Sequence, residues 1–320
     1  MLASRILTEG KHAVGVAWQQ HGKTEQARAH REVILCGGAI NSPQLLLLSG
    51  IGPAHQLQAL GIEVVADLPG VGQNLQDHLA SGVQYHCTQP ITLASAETMG
   101  NILNFLLFKK GPLTSNCGEA AAFIKTKPEL AVPDLEIFFV PSFFVEHGAL
   151  PGHGYWIGVV LLHPESKGSI TLRSLNPADP PKIQANYLAS EHDVKVLIEG
   201  LKRCRQIGQA RAFAPYRGPE FLPGEAVQSD EDLADFLYSR AETLYHPVGT
   251  CKMGSDPLAV VDAQLRVIGI EGLRVADASV MPSIISGATN APSIMIGERA
   301  ADFIKQSAAV AQTAQVASGQ

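Results

Sequence analysis

A buried strand that leads directly into two glycines and a helix restricts the fold of this chain more than any other segment. Residues 31–36 (REVILC) end in a continuous apolar run, which predicts a strand in a protein core. Gly37 and Gly38 follow at once and let the backbone approach a neighbour or a ligand closely. Ser42 and Pro43 then supply a predicted N-cap and first helical position. This order of elements predicts an α/β arrangement.

A second kind of structure is predicted in the middle of the chain. Strand-like runs separated by Pro and Gly lie at residues 120–124, 135–140, 155–162 and 169–172. Helical periodicity is found at residues 191–208, 230–240 and 292–304, and a frayed tail is predicted at 307–320. The fold class is therefore α/β, joined to an α+β part in which helices cover a separate sheet.

Two of these helices begin with a capping-box pattern. Ser190 is followed three residues later by Asp193, and Ser229 is followed in the same way by Asp232. In a capping box the Ser side chain accepts a backbone hydrogen bond from the first turn, and the acidic side chain accepts one from the Ser backbone. We therefore expect both helices to start at these serines.

Composition excludes several classes of function. The net charge of -6 argues against a nucleic-acid partner, and 46% hydrophobic residues indicate a core-forming protein. The five cysteines are scattered without a C-x-x-C pair, which favours reduced thiols over a disulfide framework or a structural zinc site. No signal-peptide pattern and no apolar run of membrane-spanning length occur in the sequence. We expect a cytoplasmic protein, with peripheral association at the inner membrane as the alternative.

The segment TLYHPVGTCKMG (residues 243–254) offers the strongest candidate for catalysis. His246 lies in a Pro/Gly turn, and a neutral imidazole can accept a hydroxyl proton. Asn290, at the start of the last predicted helix, can hydrogen-bond an oxygen on which charge develops. Our hypothesis is that the two residues face each other across a bound cofactor. The alternative is structural, because a lone His in a turn is more often a satisfied polar partner and Asn290 suits an N-cap.

Other chemistries have less support. The sequence contains no G-x-S-x-G, and Gly70 and Gly72 lack the third glycine of a dinucleotide-binding fingerprint. His147 and His153 flank a Gly/Pro loop without paired ligands on a regular element, so we predict no metal site.

Several long motifs, in order along nearly the whole chain, resemble those of the glucose-methanol-choline (GMC) flavin oxidoreductases. They are GAINSPQLLLLSGIGP (38–53), GVGQNLQDH (70–78), HPESKGSITL (163–172), YHPVGTCKMG (245–254), and DASVMP with TNAPSIMIGERAAD (277–302). Such ordered matches are far more specific than a single glycine pattern, and they favour the catalytic interpretation of His246.

The resemblance implies an FAD-dependent enzyme that oxidises a primary alcohol to an aldehyde. His246 matches the base that takes the hydroxyl proton, and Asn290 matches the second member of the active-site pair. The resemblance also implies cofactor contacts at Asp277 and Ala278 (phosphate and ribityl region), Pro292 (flavin pyrimidine edge), Ala39, Tyr245 and Asn290. Choline is the alternative substrate, and a quinone, another carrier or oxygen would accept the electrons.

The resemblance also implies a domain organisation. Residues 1–80 and 244–306 match segments of an FAD domain of Rossmann-like type, and residues 81–243 match a substrate domain whose sheet forms the pocket floor. Members of the family carry a G-x-G-x-x-G unit that holds the FAD pyrophosphate, and this sequence contains none. We therefore expect the C-terminal portion of such an enzyme, which by itself retains little FAD and has an upstream fragment as partner. A non-catalytic remnant or binding module is the alternative.

Overall fold

Two hydrophobic cores, built from different parts of the chain, organise the structure. The computed structural model describes residues 1–145, 148–149 and 151–318. The first unit comprises Met1–Asp77, Lys167–Asn186 and His246–Gln320, and the second comprises His78–Ser166 and Tyr187–Tyr245. Each unit encloses one of the two large clusters of buried apolar side chains.

The regular elements follow in chain order. The strands are β1 (Leu2–Glu9), β2 (His12–Gln20), β3 (Lys23–Arg28), β4 (Val33–Leu35), β5 (Ile51–Gly52), β6 (Ala66–Asp67), β7 (Leu79–Cys87), β8 (Ala120–Ile124), β9 (Leu135–Val140), β10 (Phe144–Val145), β11 (Gly148–Ala149), β12 (Gly154–Leu161), β13 (Ser169–Thr171), β14 (Lys182–Gln184), β15 (Arg217–Leu222), β16 (Glu242–Thr243) and β17 (Leu273–Val275). The α-helices are α1 (Gly38–Leu48), α2 (Ala54–Ala59), α3 (Met99–Phe108), α4 (Glu191–Gly208), α5 (Asp230–Arg240) and α6 (Asn290–Ser318).

Parallel pairing in the first unit brings distant segments together. β4 pairs in parallel with β17, with Val33 opposite Leu273 and Leu35 opposite Val275. The chain therefore leaves both strands at the same edge, and α1 starts where β4 ends. β5 and β6 also pair in parallel, whereas β1, β2 and β3 form an antiparallel sheet. The predicted α/β fold is confirmed.

The start of α1 differs from the prediction. The helix begins at Gly38, so Ser42 is not the N-cap and Pro43 lies inside the helix. The cap comes from elsewhere: the Gly38 N–H donates to Asp277 Oδ2 at 2.9 Å. Because Gly38 has φ 77°, in the left-handed region, glycine suits this position. A partner 239 positions away sets the helix start.

The second unit is a sheet covered by helices, as predicted. Its strand order is β15-β7-β12-β9-β8, and β16 also pairs with β7. The apolar face of α4 packs into the core through Val194, Leu197, Leu201 and Cys204, which are all buried. The predicted bounds of α4 and α5 are confirmed.

The two predicted capping boxes have different outcomes. At α5 the box is complete, with reciprocal hydrogen bonds between Ser229 and Asp232. At α4 the Ser190 side chain caps the helix, but the prediction for Asp193 is wrong. The buried Asp193 carboxylate accepts instead from the N–H groups of Glu165 and Ser166, at 2.9 Å each. Two N–H groups of a nearby loop thus take the carboxylate that the capping box would have used.

The division of the chain differs from the predicted ranges most clearly at one segment, while the other two boundaries move by two or three residues. Lys167–Asn186 was assigned to the middle part, but it packs with the first unit. The Ile170 N–H donates to the Gly72 carbonyl at 2.7 Å, and Leu75 and Gly168 exchange backbone hydrogen bonds of 3.0 and 2.8 Å. These bonds attach the segment to the loop that precedes β7.

The last helix is longer than the predicted 292–304, since α6 extends from Asn290 to Ser318. Residues 305–318 are rich in Ala and Gln, which have high helix propensity.

Within the described residues, no helix combines the length and hydropathy that crossing a membrane requires.

Candidate active site

The turn that carries His246 is fastened to the loop before β7. The His246 N–H donates to Asp77 Oδ1 at 2.9 Å. Val248 and Gln76 exchange two backbone hydrogen bonds, of 2.9 and 3.1 Å. Asp77 and Gln76 are 7% and 4% exposed, so water competes little for these contacts. The imidazole is thus attached to a backbone that is held by hydrogen bonds at residues 246 and 248.

The same turn is fastened on its other side to the short 3₁₀ turn Ala278–Val280. The Cys251 N–H donates to the Ser279 carbonyl at 2.9 Å, and the Met253 N–H donates to the Val280 carbonyl at 2.8 Å. The structure therefore brings the segment of His246 next to the predicted cofactor residue Ala278.

Two amide side chains tie a third segment to this arrangement. Asn74 Nδ2 donates to the carbonyls of Gly249 and Pro282, both at 3.2 Å. Gln76 Nε2 donates to the Pro282 carbonyl at 3.2 Å, while its Oε1 accepts from the Ile284 N–H at 3.3 Å. Gly249 is required here, because it has φ 91° and a Cβ would lie 2.5 Å from the Asn74 carbonyl oxygen.

His246 is half-buried, and its surroundings act on its charge in opposite directions. Burial lowers the pKa of the imidazole, and the Asp77 carboxylate partly offsets this by favouring the charged form. The net effect is a pKa below the ordinary value for His. A neutral imidazole at pH 7 is the form that can accept a proton.

Asp277 joins β17 to the start of α1. Its Oδ2 accepts from the Gly38 N–H at 2.9 Å and from Ser42 Oγ at 2.6 Å, and its Oδ1 accepts from the Ser279 N–H at 2.8 Å. A carboxylate at a helix N-terminus is favoured both by these hydrogen bonds and by the helix dipole. Through these hydrogen bonds Asp277 holds the backbone that follows β4 and the turn that follows β17 in place.

Ala39 is buried, and its carbonyl has an unusual partner. Pro43 has no N–H, so the hydrogen bond that residue 43 would donate to the Ala39 carbonyl is missing. The buried Thr250 hydroxyl donates to that carbonyl instead, at 2.6 Å. The contact links α1 to the segment of His246.

Asn290 and Pro292 are the first and third residues of α6. Because the Ser293 N–H donates to the Thr289 carbonyl at 3.1 Å, Thr289 and not Asn290 occupies the N-cap position. The Asn290 side chain is exposed. α6 contacts the turn Ala278–Val280, to which the segment of His246 is also bonded.

Two residues considered in the sequence lie in the second unit. Tyr245 is 67% exposed, has φ 59°, and its N–H donates to Thr243 Oγ1 at 2.9 Å. His153 Nδ1 lies 2.8 Å from Thr92 Oγ1, which gives this ring a structural partner. His147 lies outside the described residues. Within the part of the chain that the structure describes, no group of His, Cys, Asp and Glu is arranged to hold a metal ion.

Sequence reasoning missed Asp77 and Thr250 as parts of the site. Asp77 lies in GVGQNLQDH, but its backbone partner is 169 positions away. Thr250 lies in the candidate motif itself. The signal for its role is Pro43 inside α1, because a proline leaves one helix carbonyl without its usual N–H donor and another group must replace it.

Comparison with known proteins shows what this chain is similar to. The N-terminal and C-terminal family models of GMC oxidoreductases match residues 1–80 and 164–297. Mitochondrial choline dehydrogenase of Homo sapiens is 49% identical over 314 residues, which are 95% of this chain and 52% of that protein. Oxygen-dependent choline dehydrogenase of Brucella anthropi is 48% identical over 311 residues, covering 95% of this chain and 57% of that protein. The chain thus spans about half the length of these relatives.

Similarity extends to solved structures. A variant of the formate oxidase of Aspergillus oryzae, determined in work on its FAD modification, superposes with a TM-score of 0.89 at 28% identity. The match covers 96% of this chain and 60% of that one. Together with the two family models and the relatives, it leads to one conclusion: the chain belongs to the GMC oxidoreductase family.

Proposed function

We propose that this chain carries the catalytic residues of an FAD-dependent oxidoreductase that converts a primary alcohol to an aldehyde. His246 accepts the hydroxyl proton of the alcohol. FAD, when bound, supplies the acceptor for the hydride that leaves the alcohol carbon. Proton and hydride together account for the two hydrogens lost on oxidation.

The observation that carries this proposal is the environment of His246. Its ring is half-buried, its pKa is lowered by burial, and its backbone N–H is held by Asp77 at 2.9 Å. A general base needs a fixed position and a neutral form at the working pH, and this residue has both.

Asn290 completes the proposed pair from the start of α6. Its amide can donate a hydrogen bond to the alcohol oxygen while the proton leaves, without competing for that proton. The N-terminus of a helix carries a partial positive charge. This charge suits the electron-rich edge of a reduced flavin, which we assign to the neighbourhood of Pro292.

The residues present fit one end of FAD better than the other. Helix α6 offers a positive terminus for the flavin, and Ala39, Ala278 and Asp277 surround the end of β4. The pyrophosphate requires a glycine-rich loop at a helix N-terminus, and the 320-residue sequence contains no G-x-G-x-x-G. We therefore propose that a separate segment with such a loop supplies the phosphate contacts.

For the substrate, we propose a primary alcohol with an apolar chain and place choline second. A quaternary ammonium group is bound by open aromatic faces. Three aromatic residues at the sheet of the second unit pack against one another: Trp156 stacks on Phe144 with centroids 5.3 Å apart and meets Phe138 edge-on at 4.8 Å. Phe143 and Tyr155 are 3% and 2% exposed. The names of the relatives favour choline, so both substrates are tested.

The test is reconstitution with an N-terminal segment that carries the glycine-rich loop. The two pieces are co-expressed, purified together, and assayed for dye reduction with primary alcohols and with choline. We expect alcohol-dependent reduction and a flavin absorbance band, both absent when either piece is omitted. A complex that binds FAD but reduces dye with neither substrate would favour the non-catalytic alternative. Oxygen uptake, compared with quinone and dye reduction, identifies the electron acceptor.

Asp77 gives a prediction about pH dependence. The rate of alcohol oxidation should rise with pH as His246 loses its proton, since only the neutral ring accepts one. The Asp77 carboxylate raises the pKa of His246, so Asp77→Asn should move the acidic limb of kcat/KM to lower pH. Asp77→Ala should also lower kcat, because the hydrogen bond to the His246 N–H is lost.

The control for this prediction is Asp302→Asn. Asp302 forms an exposed pair with Arg299 at 3.2 Å, and its substitution should leave the limb in place. If the acidic limb of kcat/KM stayed at the same pH in Asp77→Asn, measured with full FAD content, the proposed effect of Asp77 on the pKa of His246 would be contradicted.

The predicted cytoplasmic location, and the alternative of peripheral association at the inner membrane, remain predictions that cell fractionation checks.

A further inference from the structure

The sheet of the second unit ends in an open edge strand. In the part of the chain that the structure describes, β8 lies at the end of the strand order and pairs with β9 alone. The register runs from Ala120 opposite Phe139 to Ile124 opposite Leu135 without a shift. An edge strand of this kind presents a row of backbone N–H and C=O groups that no neighbouring strand uses. β8 is therefore a template on which a further strand can pair.

β8 carries none of the features that usually protect an edge. Its sequence, AAAFI, contains no charged residue and no Pro, and five residues are an ordinary strand length. Four of the five residues are exposed, and Phe123 is 50% exposed. Edge strands in soluble proteins are normally blunted by Pro, by a bulge or by a charged side chain within the strand. The exposure of this apolar strand therefore indicates a partner.

The opposite edge of the same sheet is protected. β15 contains Pro219, which has no N–H, and the charged residues Arg217 and Glu220. Its pairing with β7 is interrupted by two register shifts. The sheet thus blocks one edge and leaves the other regular and apolar.

The charges that flank β8 make the strand complementary to itself. Glu119 precedes the strand, Lys125 follows it, both are exposed, and Ala122 lies midway between them. Ser115 Oγ donates to Glu119 Oε1 at 2.6 Å, which holds this carboxylate at the start of the strand. If two copies lie antiparallel about a twofold axis through Ala122, each Glu119 lies opposite the Lys125 of the other copy. Opposite charges at facing positions stabilise an antiparallel pair.

The same arrangement suits the apolar residues of the strand. They face one another across the two copies as Ala120 with Ile124, Ala121 with Phe123, and Ala122 with Ala122. A shift of one residue would turn the side chains to the wrong face of the sheet. A shift of two residues would place either Lys125 or Glu119 opposite an apolar side chain. A single register therefore satisfies the charged and the apolar residues together.

We propose that this chain forms a symmetric homodimer in which β8 pairs antiparallel with β8 of a second copy and joins the two sheets into one. Backbone hydrogen bonds between the two edges and partial burial of Phe123 drive the association, and the two pairs of Glu119 with Lys125 fix the register. A second copy fits better than a different protein, because the charges are arranged symmetrically about the centre of the strand. The interface is small, so the dimer dissociates on dilution.

The first experiment is analytical ultracentrifugation of the 320-residue chain over a range of concentrations. We expect an equilibrium between monomer and dimer. Glu119→Lys places like charges opposite each other at both ends of the interface, so the dissociation constant should rise about 10-fold or more. The double variant with Glu119→Lys and Lys125→Glu restores opposite charges in reversed order. Its dissociation constant should return close to that of the unaltered chain.

The matched control is Glu129→Lys. Glu129 is exposed and lies outside β8 and its flanks, and the substitution changes the net charge by the same amount as Glu119→Lys. The dissociation constant should stay unchanged. Circular dichroism of each variant checks that the fold is retained.

Cross-linking tests the register directly. Facing Cα atoms of an antiparallel pair are about 4.5–5.5 Å apart, which a disulfide can bridge. Ala122→Cys should therefore give a disulfide-linked dimer on mild oxidation. In Ala120→Cys the two thiols would be four residues apart along the strand, or about 14 Å, so no such dimer should form. Both variants are made with the exposed Cys36 and Cys117 replaced by Ser.

Three outcomes would overturn the proposal. The first is a monomer at every concentration. The second is a dimer whose dissociation constant is unchanged in Glu119→Lys, or is not restored in the double variant. The third is equal cross-linking of Ala120→Cys and Ala122→Cys, which would place another surface at the interface.

Discussion

Replacing His246 with Gln should lower kcat for alcohol oxidation by about 10²- to 10⁴-fold, the range that a positioned general base contributes. Glutamine approximates the size of the imidazole and retains hydrogen-bonding atoms, but it does not accept a proton at neutral pH. The Asp77 hydrogen bond uses the backbone N–H of residue 246, so the position of the turn should be preserved. The rate is measured at saturating alcohol in the reconstituted enzyme, normalised to bound flavin.

The control for His246 is His153→Gln. His153 contacts Thr92 in the second unit, so its substitution should leave kcat near that of the unaltered enzyme. If His246→Gln retained full kcat with full flavin content, another group would be the base. An equal loss of kcat in both variants would indicate a general loss of structure.

The second large effect concerns stability. Asp277→Ala should lower the free energy of unfolding by about 2–4 kcal/mol, since a helix cap and two further hydrogen bonds to a carboxylate are lost together. The Gly38 and Ser279 N–H groups and the Ser42 hydroxyl would lose their common acceptor. The midpoint of urea denaturation, followed by circular dichroism, measures the change.

Two further variants make the stability test specific. Asp277→Asn keeps one carbonyl acceptor but loses the charge. Its free energy of unfolding should therefore lie between that of the unaltered protein and that of Asp277→Ala. Asp256→Ala removes a surface carboxylate that pairs with Lys252 and accepts from the Leu258 N–H, and contacts of a solvent-exposed carboxylate contribute little. A midpoint for Asp277→Ala equal to that for Asp256→Ala would show that the cap at α1 contributes nothing.

Helices whose signals are local were predicted well. The bounds of α4 and α5 agree with the sequence analysis, because the apolar period and the capping Ser lie within the helix or next to it. Three strands of the second unit's sheet, β8, β9 and β12, were predicted from their short apolar runs, whereas β7, β15 and β16 were not. α3, however, was not predicted at all. Its residues are mostly apolar, and none of them is fully buried.

Errors arose where a partner is distant in sequence. Ser42 has the local chemistry of an N-cap, but Asp277 caps the helix four residues earlier. Asp193 has the spacing of a capping box, but two loop N–H groups hold its carboxylate. In both cases the local pattern was present, but the hydrogen bond that forms is made with another segment.

By itself, the sequence determined the family, the α/β class and the identity of His246 and Asn290 as candidates, because ordered motifs and short-range periodicities are written along the chain. The tertiary structure decided what surrounds them. Asp77 reaches His246 across 169 positions, and Asp277 reaches Gly38 across 239. Burial lowers the pKa of His246 only after the chain has folded around it. Contacts of this kind depend on which backbone groups meet in space, and chain order alone does not specify that.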